Sequence, residues 1–132
     1  MRNPNVQQQN EATKRAIREL TDSFRGDPLR RAWLIVALQQ ASLAVDQGIL
    51  AQVHQVAEQD GDLFKGYWLT TDQRFFTFEV LVPRRDEKPI IVEIWKDVTA
   101  DMPINGYLPG LGKSFGYLAL EVLAEITGTM ST

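Results

Sequence analysis

The chain has 132 residues, 44% of them hydrophobic and 23% charged, with a formal net charge of −3 and no cysteine. That length suits one domain able to bury its own core. The missing cysteine excludes disulfides, thiolate metal sites and cysteine nucleophiles, and the acidic balance gives no support to a general affinity for nucleic acid.

The charge is unevenly spread. Residues 1–31 hold seven Lys/Arg and four Asp/Glu, and residues 32–132 hold seven and thirteen. A mildly basic first helix on an acidic body follows, with a solvated helix face as its simplest meaning. The N-terminal stretch "MRNPNVQQQNEATKR" has no apolar signal-peptide region. The longest apolar run, "AWLIVAL" at 32–38, is far too short to span a bilayer. The expectation is a soluble cytoplasmic protein with a flexible lead-in at 1–9 and a single domain over 10–132.

Taken in chain order, Asn10 suits the N-cap of a first helix at about 11–25. Ala16, Ile17, Leu20 and Phe24 recur along it at helical spacing. Gly26 ends it, and Asp27-Pro28 opens a second helix at about 28–46, where proline's missing N–H costs nothing. This second helix is apolar nearly all round, which predicts a central position, with Trp33, Leu34, Val36, Ala37, Leu38, Ala41 and Val45 in the core. Gly48 then reads as a break or a kink. Ile49, Leu50, Val53, Val56 and Ala57 line one face of a third helical stretch reaching about residue 59.

"EQDGD" at 58–62 is a turn signal, after which the hydrophobic period falls to two. "GYWLT", "RFFTFEVLV" and "IIVEIWKDV" read as three strands joined by short loops, an antiparallel meander. Phe76, Phe78, Val80 and Val82 share one side, and Phe75, Thr77, Glu79 and Leu81 the other. Ile90, Val92 and Ile94 likewise oppose Ile91, Glu93 and Trp95. Residues 97–112 form an irregular connection, and a last helix at about 113–127 stops at Gly128. The fold class is α+β: two or three N-terminal helices packed as one layer on a three-stranded meander, plus a C-terminal helix.

Gly112-Lys113-Ser114 resembles the end of a phosphate-binding loop. That motif requires glycine five residues before Gly112, where this chain has Tyr107. Pro109 removes a backbone donor from the same stretch. Nucleotide hydrolysis is therefore not expected. A weaker anion site at Gly112, Lys113 and Ser114 remains an alternative, resting on helix-end electrostatics. Its rival is a loop whose glycines only let it turn.

His54 is the lone histidine and falls beside an apolar stripe, a boundary position. A symmetric 83–88 loop places Glu79 opposite Glu93. That implies repulsion, a bound cation or a different register, and makes the pair only a weak metal candidate. "RGD" at 25–27 sits at a helix end ahead of proline, a poor display for recognition, and is read as chance. No cofactor is expected.

The last helix holds more apolar surface than one buried face needs. Tyr117, Leu120, Leu123 and Ala124 extend it beyond Phe115, Leu118, Ala119, Val122 and Ile126. It either inserts between sheet and helices or offers a partner surface. The preferred reading is a non-enzymatic protein-binding module, adaptor-, chaperone- or immunity-like. Its partner is another protein or a second copy of itself, without nucleic acid or membrane. The expected contact surface is Tyr107, Leu108, Tyr117, Leu120 and Ala124 with Trp95 and Phe75. The alternative is a small-ligand or anion-binding protein, or a weak enzyme, using residues 105–116 and Lys113.

Overall fold

A computed structural model describes residues 4–85, 87–102, 107–108 and 112–128. The order is α1 (Pro4–Gly26), α2 (Pro28–Gln40), a 3-10 turn at Val45–Gln47, then β1 (Gly48–Ala57), β2 (Gly61–Thr70), β3 (Phe75–Pro83) and β4 (Ile91–Asp97). A second 3-10 turn at Thr99–Asp101, a two-residue ladder of β5 (Tyr107–Leu108) with β6 (Gly112–Lys113), and α3 (Phe115–Thr127) complete it. The class is α+β, and β1 to β4 form one antiparallel sheet in chain order.

The sheet has four strands and not three, because the stretch expected to be a third helix is β1. Two features disguise it. Ile49, Leu50 and Ala51 are all buried, since both faces of the sheet are covered here, so no alternation shows. A bulge between Leu50 and Gln52 then slips the pattern by one residue, and the apolar positions land at helix-like spacing. Gly48 breaks no helix: a Cβ there would stand 2.5 Å from the Leu69 carbonyl oxygen and 2.7 Å from the Trp68 ring. Gly66 faces the bulge as closely, 1.8 Å from the Gln52 carbonyl oxygen for the same added atom.

The second helix is shorter than its apolar pattern. It ends where Ser42 adopts a left-handed φ of 60°. The Leu43 N–H then reaches back to the Leu38 carbonyl, and the Ser42 N–H to that of Gln39. This pair of bonds is the Schellman closure, here on serine in place of the usual glycine. At the other end of the chain α1 starts at Pro4, ahead of the expected Asn10 cap.

Two apolar clusters fix the layers. Trp33, Leu34, Ala37 and Leu38 of α2 pack with Leu50, Trp68, Phe78 and Val80 on one face of the sheet. Ala119, Val122 and Leu123 of α3 pack with Ile49, Ala51, Leu69 and Phe75 on the other. Helices thus flank both faces, correcting the expected two-layer stack. α1 runs along the β1 edge and feeds both clusters, Phe24 to the first and Ile17 to the second. Its Thr21 and Arg25 bind backbone groups of that edge, Thr21 at Leu50 and Arg25 at the Gly48 carbonyl. An edge strand would otherwise bury these groups unsatisfied.

Candidate functional site

α3 covers only the half of its sheet face near Ile49, Leu69 and Phe75. The register extends that face into the opposite half. Val56 lies beside Leu63, Leu63 beside Leu81, and Leu81 beside Ile91, one row crossing all four strands. The next row is His54, Lys65, Glu79 and Ile94. Val56, Ile91 and Ile94 are 40%, 46% and 41% exposed, the large exposed apolar side chains among the described residues. All three stand on this one half-face, where β4 is also the edge strand. Burying the area they still expose is worth on the order of 1 kcal/mol each at about 25 cal/mol per Å².

The charges inside the patch are ordered. Glu79 does not face Glu93. A bulge between Glu79 and Val80 pairs Glu79 with Ile94 and leaves Glu93 as the extra residue of β4. Glu79 instead meets its other cross-strand neighbour, Lys65, at 3.6 Å. The expected like-charge clash is thus relieved by register and by a cation on the adjacent strand. No cluster of three or more metal-ligating side chains occurs among the described residues.

The same bulge relocates two residues that the alternation had placed. Trp95 joins the α2 side, stacked at 5.8 Å on both Phe76 and Phe78. Ile94 moves outward to the open half-face. Phe75, expected on a partner surface beside Trp95, is fully buried beneath α3 on the face opposite Trp95. Tyr117, Leu120 and Ala124 are half-buried, because α3 is held between the sheet and α1. Among the described residues, the large exposed apolar side chains therefore lie on the sheet and not on the last helix. Val56, Ile91 and Ile94 escaped sequence reading because a bulge leaves no mark in composition.

Tyr107 and Leu108 pair with Lys113 and Gly112 in the short ladder ahead of α3. The side chains of these four residues, and residues 109–111 of the glycine loop, lie outside the described set. Ser114 is described, and it is buried. Its Oγ accepts the Tyr117 N–H at 3.3 Å, so it serves α3 as N-cap. Gly128, at φ 72°, closes the helix in the left-handed conformation.

Two charge groups brace the frame around the patch. Lys14 of α1 is buried and donates to Glu125 of α3 at 2.6 Å, with Glu121 at 3.8 Å. Arg18 reaches Glu125 at 3.0 Å. Burial pulls the Lys14 ammonium down, but the Glu125 hydrogen bond and the surrounding carboxylates outweigh it, and its pKa is raised. Lys14 likewise holds Glu125 below its ordinary range. At the far end of β4, Asp97 is pushed down to about 2 by the Thr99 hydroxyl and N–H, then by Arg74. Both are structural clips, in which each charge has its partner.

The fold is a helix-flanked four-stranded meander whose large exposed apolar side chains, among the described residues, share one half-face of the sheet, with Leu63 between them buried. No protein-family model matches the chain, and no curated protein or solved structure matches it either. No helix among the described residues is long and apolar enough to cross a membrane.

Proposed function

We propose that this chain is a small protein-binding module that acts by docking, and that its first partner is a second copy of itself. The observation carrying this is the gathering of Val56, Ile91 and Ile94 on one half-face of the sheet. Contiguous exposed apolar area of this kind favours association. The patch holds a complementary pair, the Lys65 cation beside the Glu79 carboxylate, with Lys96 one row further along the same face. A two-fold arrangement lets Lys65 of each copy face Glu79 of the other while the apolar rows meet, as an isologous interface requires.

Light scattering behind size-exclusion chromatography tests this. The expected mass rises from one chain toward two with concentration. The double substitution Ile91→Lys/Ile94→Lys holds it at one chain with an unchanged melting temperature. Lys65→Glu weakens association, and adding Glu79→Lys restores it. A single-chain mass at millimolar concentration, or a dimer that survives the double lysine variant, refutes the reading. The alternative of an anion site at residues 105–116 and Lys113 has less support, since Ser114 already occupies one donor at the start of α3.

A further inference from the structure

On the opposite face of the sheet, away from Ile91 and Ile94, α1 and α2 do not close fully over the strands. A cleft of about 530 Å³ remains there. Small-molecule sites commonly occupy roughly 300–1,000 Å³, while a water fills about 30 Å³. The volume falls within that range.

Three aromatic rings form one wall. Trp33 stacks on Phe64 with centroids 4.6 Å apart and planes 12° apart, and Phe24 meets Trp33 edge-on at 5.5 Å. Leu20, Val53 and Val82 supply aliphatic surface. Among the described residues, two polar side chains reach the lining, Gln55 of β1 and Asp62 of β2. Asp62 is half-buried, and its carboxylate takes part in no hydrogen bond or ion pair among the described residues. No lysine or arginine is among the described residues that line the cleft. The β1–β2 hairpin adds Glu58 and Asp60 close by in sequence, offset in part by Arg84, whose guanidinium donates to the Gln59 carbonyl.

We propose that this cleft binds a small organic cation: an amine whose apolar body lies against Phe24, Trp33 and Phe64 and whose charged nitrogen pairs with Asp62. A carboxylate with no partner among the described residues, at an aromatic wall, is complementary to such a ligand twice over. Its charge offers the nitrogen a charge-assisted hydrogen bond, and the ring faces attract a cation electrostatically. An anionic ligand of equal size would meet the Asp62 carboxylate instead. The Gln55 amide can accept a second N–H from the ligand.

The probes are phenethylammonium, its neutral counterpart 2-phenylethanol and the anion 3-phenylpropanoate, with binding to the full chain read by calorimetry and thermal shift. Phenethylammonium is expected to bind and to raise the melting temperature, with 2-phenylethanol weaker and 3-phenylpropanoate weakest. Asp62→Asn should cost the ammonium probe roughly tenfold or more in affinity, the scale of a charge-assisted bond, and leave 2-phenylethanol unchanged. Val53→Phe, which fills the cleft, should abolish both. If that variant misfolds, the Asp62→Asn comparison still decides. Equal binding of the three probes, no binding of the ammonium, or full affinity in Asp62→Asn would overturn the assignment. Because the cleft and the Ile91/Ile94 surface occupy opposite faces, failure of either proposal leaves the other standing.

Discussion

Thr21 and Leu50 exchange two hydrogen bonds: the Thr21 hydroxyl donates to the Leu50 carbonyl at 3.3 Å and accepts the Leu50 N–H at 3.2 Å. Leu50 sits on edge strand β1, and both residues are buried. One hydroxyl on α1 thus does what a fifth strand would do at this position.

Thr21→Val keeps the shape and removes both bonds. It leaves a donor and an acceptor of Leu50 buried without partners. The expected loss is about 1–3 kcal/mol, read as a lower denaturation midpoint at unchanged slope. Thr21→Ser should retain most of the stability, since it keeps the hydroxyl. A Thr21→Val protein as stable as the parent would show that water can replace the threonine.

The Lys14–Glu125 clip predicts an acid limb in the stability profile. The folded pKa of Glu125 is depressed below its ordinary 4.5. Its contribution is therefore complete above about that pH and disappears as pH falls through the folded value. Lys14 is raised above its ordinary 10.5, so its contribution is complete below that pH and is lost as pH rises through the folded value. Lys14→Met should flatten both limbs, whereas Glu125→Gln leaves a buried ammonium short of a partner and should destabilise more at neutral pH. Denaturant melts from pH 3 to pH 11 follow both changes. Limbs equally steep in Lys14→Met and the parent would assign the titration to other groups.

Asp97 is held at about 2 first by the Thr99 hydroxyl and N–H and only then by Arg74. Thr99→Val should raise its titration midpoint more than Arg74→Met does. A carboxyl-carbon NMR titration reads this directly, and the opposite order would make Arg74 the principal cause. With the folded value below the ordinary 3.8, any stability linked to Asp97 is present above that pH and lost as pH falls toward 2. The pair is solvent-exposed, so Arg74→Met should barely move the melting temperature at pH 7.

Much of the frame was legible in the residues. Period-two alternation located β2, β3 and β4, Pro28 opened α2, and Gly128 closed α3, because propensity, capping and turn chemistry act within a few neighbouring residues. Three features were not legible, and each depends on contacts distant in sequence. β1 lost its alternation because α2 and α3 bury its start from both sides and a bulge at Leu50/Gln52 slips the remainder. The bulge at Glu79/Val80 sent Trp95 to one face and Ile94 to the other and separated Glu79 from Glu93. The apolar surplus of the last helix fits insertion or a partner surface equally on local pattern; the structure sets the helix between α1 and the sheet, and the large exposed apolar side chains among the described residues lie on β1 and β4. Local residue chemistry sets which segments are greasy and how most of them are bounded; long-range packing sets which grease is hidden. A side chain's burial depends on what packs across from it, and a one-residue slip in strand pairing turns every later side chain to the other face.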